Sequence, residues 1–349
     1  MPASPSVGRS TRLRPAGERF DGKTMIWTER IRSWGWLELG WQRPLMVGAV
    51  LRLIATLSGV GYLFADDYSS VMEPAYAWLD DPSAPFPWGI RSEFFPRLFS
   101  WCLMMANGLG ISDPARMLQW AYGLLGLWSL LAIVGTFRLT ERFFDARAAT
   151  LAAWLMAAYP LMPRISTRAL LEVACIPPLV WGLAFIARRA PPRSSGFWGA
   201  LIGGMLIGIA AMFRFQVGLV YVGAFAVVAW QAVVAVRSAA AERSAAVRRV
   251  VGMFLGGVVA AGLQAIVDTL SYGWPFASLY TYIKFNVERS TELYGRTGGF
   301  YTYALFFVLL ALPPAAIAFA RPYWRAAKRA PLASSAVLVF LVALSFVPH

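Results

Sequence analysis

Asp66 and Asp67 stand side by side where the first apolar segment is predicted to end, at the boundary between membrane and water. Partial desolvation raises a carboxylate's affinity for a proton, and a second carboxylate beside it raises it further. A carboxylate tuned in this way is a general base near neutral pH. An Asp-Asp pair also suits an ordinary solvated helix cap, so the pair alone decides nothing. Arg52 lies near the middle of the same segment, where an unpaired cation costs at least ~2.5 kcal/mol. It calls for an anionic partner or a wet cavity. Glu172 and Asp268 are acidic groups in similar difficulty, and structural ion pairing or a polar active cavity would satisfy them equally. Arg91, Arg168, Arg214, Lys284 and Arg296 form a scatter of cations on the side that basic residues usually avoid. Anionic phosphate is their natural partner, since Arg can hold it bidentately.

The elements that must position these groups are membrane helices. Of the 349 residues, 58% are hydrophobic and only 14% charged, against ~25% charged in a soluble domain. The mean hydropathy is +0.56. Apolar segments cover 44–64, 117–137, 148–163, 169–187, 197–213, 215–236, 250–270, 300–319 and 332–348. Each is predicted to be a helix, because unpaired backbone is not tolerated against lipid. The expectation is therefore an all-α bundle of about nine spans. A further block at 94–111 carries Pro96, Arg97 and Asn107 and reads as re-entrant or lying at the interface. If it does not cross, roughly two-thirds of the 32 Lys and Arg fall on one side with residues 1–43. The positive-inside rule then makes that side, and the amino terminus, cytoplasmic.

The same distribution accounts for the net charge of +14 and argues against nucleic-acid binding. Neither a P-loop nor a strand–GxGxxG–helix unit occurs, which argues against a nucleotide-binding fold. Cys102, Cys175 and a single His give no metal-ligand spacing, so no metal is expected. Residues 1–24 are polar and basic, so no cleavable signal is expected there. Trp27, Trp34 and Trp41, with Ile31 on the same side, fit an amphipathic helix on the cytoplasmic interface. The chain thus divides into a basic amino-terminal region, 1–43, and a membrane domain, 44–349. The two long external connections, 65–116 and 271–299, are too aromatic for disorder and too long to be mere linkers. They carry Tyr68, Glu73 and Arg91, and Lys284, Asn286, Tyr294 and Arg296.

Two stretches carry a family resemblance. RLIATLSGVGYLFADDYSSVMEPAYAW (52–78), followed by WGIRSEFFPRLFSW (88–101), contributes Arg52, Asp66-Asp67-Tyr68, Glu73 and Ile90-Arg91-Ser92. VDTLSYGWPFASLYTYIKFNVERSTELYG (267–295) contributes Asp268, Tyr272-Gly273, Lys284-Phe285-Asn286-Val287 and Tyr294-Gly295. Together they resemble glycosyltransferase family 22, the polyprenyl-phosphate-mannose-dependent mannosyltransferases of GPI-anchor and N-glycan assembly. The likeness spans about residues 50–349. Departures are Asp-Asp where the family usually has Asp-Glu, Ala65 for a usual Pro, and no His or Trp after Tyr294-Gly295. The family continues beyond the position of SFVPH with Lys-Glu, so the resemblance implies a shortened or divergent member lacking its C-terminal part.

The resemblance implies a GT-C fold and an inverting transfer. Asp66 would be the general base and Asp67 the second catalytic carboxylate, binding or orienting the acceptor with Glu73 and Tyr68. Arg91, Lys284, Arg296 and Arg214 would hold the donor phosphate, with Arg52, Glu172, Asp268, Asn286 and Tyr294 in support. It implies no cofactor or metal. The expected partners are a polyprenyl-phosphate sugar donor, a glycan or glycolipid acceptor and membrane lipid, with no nucleic acid. Abundant Ala and Arg favour a bacterial plasma or inner membrane, with the endoplasmic reticulum as the eukaryotic counterpart. An inactive remnant or membrane scaffold, and less so a transporter or lipid flippase, are the competing readings.

Overall fold

The computed structural model describes residues 39–59, 61–187, 196–237, 239–289 and 324–346, and among them every regular element is helical. Helix α1 is Gln42–Leu57. A composite helix, α2, begins at Ala65–Asp67, loosens into a π turn at Tyr68–Met72 and ends as Glu73–Asp80. Then follow α3 (Phe94–Gly108), α4 (Pro114–Phe143), α5 (Ala146–Ala158) and α6 (Ile176–Ala187). The remainder are α7 (Phe197–Phe213), α8 (Val217–Val234), α9 (Ala240–Tyr272), α10 (Ala277–Lys284) and α11 (Pro331–Phe346). Eight of the nine apolar segments coincide with helices, and 300–319 lies outside the described residues. The Trp27 to Trp34 stretch also lies outside them.

Three helices among the described residues, Pro114–Phe143, Val217–Arg237 and Ala240–Tyr272, are long and apolar enough to cross a membrane. The other described helices of the expected set are shorter, and proline explains two of the breaks. Helix α5 stops at Tyr159, whose backbone is extended, because the following Pro160 clashes with a helical predecessor. Ahead of α6, Pro177 and Pro178 sit in its first turn, where a missing N–H costs nothing. The segment expected at 169–187 is accordingly split at Cys175 into Leu171–Ala174 and α6.

The structure corrects the geometry at the end of α1. The helix stops at Leu57, nine residues before Asp66, so the pair does not ride on its end. Ser58, Gly59 and Gly61, the last with φ of 73°, break the run. Asp66 and Asp67 instead occupy the first turn of α2, where the exposed amide ends of a helix favour negative charge. The block at 94–111 forms helix α3, with Trp101, Met104 and Met105 exposed on one face and the other face packed inward. Phe95, Phe99, Leu103 and Ala106 of α3 are buried in the main core with Tyr122 of α4 and Phe213 of α7. Helices α7 and α9 touch through glycine. A Cβ on Gly256 would overlap the Leu201 carbonyl, and one on Gly204 would overlap Met253. Close backbone approach at small residues is the usual way such helices associate in lipid.

Arg52 is held by uncharged acceptors, beside a cavity of about 310 Å³ that it helps to line. Its buried guanidinium donates to Ser129 Oγ (2.6 Å), Gly48 O (3.2 Å), Ala157 O (3.2 Å) and Met156 O (3.3 Å). The last two are carbonyls at the C-terminal end of α5, which lack helical partners and form the negative pole of that helix. The truncation of α5 at Pro160 therefore creates the acceptors that Arg52 needs, and one side chain ties α1 to α4 and α5. An ammonium cannot serve four acceptors spread this widely. Arg52→Lys should destabilise the protein by about 1–3 kcal/mol, read as a lower melting temperature in detergent. Unchanged melting would show that the guanidinium network contributes nothing.

Candidate active site

A cavity of about 330 Å³ opens where α7, α10 and the loop before α3 meet. It is lined by Ile90, Arg91 and Ser92 on one wall, Arg214 and Gln216 on another, and Tyr282, Phe285 and Asn286 on the third. Its size falls in the range of ligand pockets, and its polar groups converge from three distant parts of the chain. Arg214 follows the last turn of α7 in an extended conformation and is ion-paired with Glu172. Glu172 therefore has its expected partner. The Asn286 amide donates to Tyr282 O (2.8 Å) one turn earlier, which fixes its orientation in the cavity wall.

The loop that presents Arg91 is held by α9. Tyr272 donates its hydroxyl to Arg91 O (2.8 Å), and Gln264 Nε2 donates to Ser92 Oγ (3.1 Å). Gln264 also donates to Asp268 Oδ1 (2.8 Å). Asp268 is fully buried and accepts from the Ser278 hydroxyl (2.8 Å) and the Ser278 amide (3.0 Å). That amide belongs to the first turn of α10, so Asp268 caps a helix that is not its own. Its described partners are hydrogen-bond donors rather than a cation. It is a buried carboxylate whose hydrogen bonds position two walls of the site.

Asp67 is likewise committed. Its carboxylate is buried and accepts from Phe64 N (2.7 Å) and Leu63 N (3.1 Å), closing the first turn of α2 on itself. Its bonds are those of the capping alternative. Beside it lies Arg168, whose buried guanidinium stacks 4.5 Å from the centre of the Tyr122 ring. Burial lowers the Arg168 pKa, and the Tyr122 hydroxyl and Asp67 carboxylate act in the opposite direction. Tyr122 in turn donates to Gly61 O (2.7 Å). A Cβ on Gly59 would overlap the Arg168 guanidinium, which would have to move to admit it. The Asp66 backbone is in this first turn. Tyr68 and Glu73, one on each side of the π turn, are exposed to solvent. Such turns recur at functional sites.

Two links join the aspartate segment to the cavity. Trp88 Nε1 donates to Ser69 O (2.8 Å), which places the start of α2 against the loop three residues ahead of Arg91. The stretch 168–172 runs from Arg168 at the Asp67 cluster to Leu171 in the cavity wall and Glu172 on Arg214. The structure thus groups Arg91, Arg214, Asn286 and Glu172. Lys284 is exposed and not among the lining residues, and Tyr294 and Arg296 lie outside the described residues. Among the described residues no cluster of three His, Cys, Asp or Glu is poised for a metal.

The profile of the Alg9-like mannosyltransferase family matches residues 46–349, which includes every residue of the cavity. The chain belongs to the Alg9-like mannosyltransferase family. Neither the curated proteins nor the solved structures gave a match. Membership of a membrane mannosyltransferase family agrees with the apolar helices and makes sugar transfer the chemistry to ask of this cavity. Sequence reasoning did not single out Gln264 or Tyr122. Gln264 had a signal, since a polar residue one turn before Asp268 in an apolar helix demands a partner. Tyr122 had none, because a tyrosine in an apolar helix is commonplace. Tyr272→Phe should leave the melting temperature nearly unchanged while raising amide exchange in residues 88–93 about fivefold, the value of one hydrogen bond. Unaltered exchange would mean that the loop is held by something else.

Proposed function

We propose that this protein transfers a mannosyl residue, with inversion, from a polyprenyl-phosphate carrier to a hydroxyl of a glycan or glycolipid. One observation carries the choice of donor. The polar cavity shares two wall residues, Met212 and Phe215, with a second, apolar groove of about 350 Å³. The groove runs between α7, α8 and α9, lined by Gly208, Ala211, Gly218, Tyr221, Gly257 and Ala260. A charged head joined to an apolar tail matches this pair of spaces, with phosphate against Arg91 and Arg214 and the first isoprene units in the groove. A nucleotide donor has no use for the groove.

In this reading the Asp66 carboxylate takes the proton of the acceptor hydroxyl. The freed oxygen lone pair forms the new bond to C1 of the sugar from the face opposite the phosphate. The C1–O bond to phosphate breaks, and its electron pair leaves on the lipid phosphate. Arg91 and Arg214 stabilise the charge that grows there, the role for which preorganised donors are worth about 3–4 kcal/mol. Lys284 and Arg296 add to the positive field around the leaving group. Tyr68 and Glu73, exposed near Asp66, meet the acceptor. Asn286 and Tyr294 help to frame the site. The scheme requires no metal, because side-chain cations do that work. Basic loops on the cytoplasmic side leave this site at the outer rim, in a bacterial plasma or inner membrane or the endoplasmic reticulum.

The test is transfer of label from radiolabelled polyprenyl-phosphate mannose into glycolipid by membranes containing the protein. Asp66→Asn at normal abundance should lower transfer about 10²–10⁴-fold. No transfer by the unaltered protein with any acceptor tried would favour the inactive or scaffold reading. A second variant addresses the groove. Gly218 lines it and has nothing within 4 Å of the position a Cβ would take. Gly218→Leu should therefore fold normally and raise the donor KM severalfold with little change in kcat. An unchanged KM would remove the groove from the donor site.

A further inference from the structure

We infer that the basic end of the bundle carries a second anion site, built from Arg142, Arg249 and Arg329, that takes a phosphate-bearing headgroup. The three line a cavity of about 240 Å³. They come from separate parts of the chain: Arg142 in the last turn of α4, Arg249 in α9, and Arg329 just ahead of α11. Three like charges around one space repel each other, and such a cluster is stable when an anion joins them. Among the described residues none of the three is paired with a carboxylate. The nearby Glu141 is taken by Arg138 (3.2 Å).

The cavity is also built to receive. Arg249 is half-buried and fixed, donating to Ile186 O (2.8 Å) and reaching Gln231 Oε1 (3.5 Å). It forms a rigid floor, while Arg142 and Arg329 stand exposed at the mouth. The remaining wall is apolar, with Phe143, Val228 and Leu332, as suits the glycerol and first acyl carbons of a lipid. Tryptophans mark the level of the site. Trp198 at the start of α7, Trp230 near the end of α8 and Trp324 are all strongly exposed. The Lys328 ammonium sits 5.4 Å from the Trp324 ring centre. Exposed indoles with neighbouring cations characterise the headgroup layer, and basic pockets between helices at that level suit anionic lipid heads. Helix α7 runs from Trp198 at this end to the turn before Arg214, so the site lies at the opposite end of the bundle from the donor cavity. It does not depend on the transfer reaction.

The full-length protein in neutral detergent would be titrated with phosphatidylglycerol, inorganic phosphate or phosphatidylcholine while its melting temperature is followed. The double variant R142Q/R329Q leaves the Arg249 hydrogen bonds intact. The double variant R243Q/R325Q removes equal charge from the same end without touching the cavity. Phosphatidylglycerol should raise the melting temperature of the wild type and of R243Q/R325Q alike. Half-saturation should rise about tenfold or more in R142Q/R329Q, the effect of two cations near the anion. A similar shift from inorganic phosphate, lost in the same variant, would identify the free ion as the occupant. Its absence would identify the lipid. Equal weakening in both double variants, equal stabilisation by phosphatidylcholine, or no shift with either anion would overturn the site.

Discussion

A carboxylate that cannot reach water must be surrounded by donors, and in this bundle Asp268 meets that requirement by drawing three elements together. Its oxygens accept from Gln264 on its own helix and from the backbone and hydroxyl of Ser278 in the first turn of α10. Gln264 passes the connection to Ser92, and Tyr272 one turn further on holds Arg91 by its carbonyl. Two of the three walls of the polar cavity thus have their positions set by a group that does not line it. A half-satisfied network in an apolar bundle is costly, so the loop bearing Arg91 cannot drift without exposing these atoms. These bonds tie the loop bearing Arg91 in place, while Tyr68 and Glu73 face solvent.

The same rule governs the other buried ionisable groups. Arg52 is neutralised by no anion, yet its four acceptors include the orphan carbonyls of a helix end. Asp67 is held by two amides of its own turn. Arg168 lies over an aromatic ring with Gly59 leaving room for it. Each binds a joint where a helix is cut short, at Leu57, at Ala158 and at the start of α2. In a chain with so few charged residues, cut helices and buried charges supply each other's hydrogen bonds.

This explains what the sequence revealed and what it hid. Helices were legible from apolar runs, because lipid leaves a backbone no other way to pair its N–H and C=O groups. The charged residues that mattered were legible as residues, since a cation or anion in such surroundings stands out. Their partners were not, because partnership depends on where proline and glycine end each helix. Arg52 was expected to seek an anion or a wet cavity and donates to carbonyls, and Asp268, expected in an ion pair or a polar cavity, caps α10. The membership of Arg91, Arg214 and Asn286 in one cavity required the fold. The block at 94–111 was ambiguous for a related reason. Its polar residues suggested an interface, yet its other face carries Phe95, Phe99 and Leu103 into the core.

The central claim is that a lipid phosphate lies between Arg91 and Arg214 with its tail in the groove behind Met212 and Phe215. A polyprenyl phosphate carrying a diazirine on its first isoprene unit would test this in the intact protein, with the cross-linked residues located by mass spectrometry. Label concentrated in residues 208–221 and 254–261 is the expected result. Label confined to α1 and α5, on the far side of the bundle's contacts with α4, would contradict it.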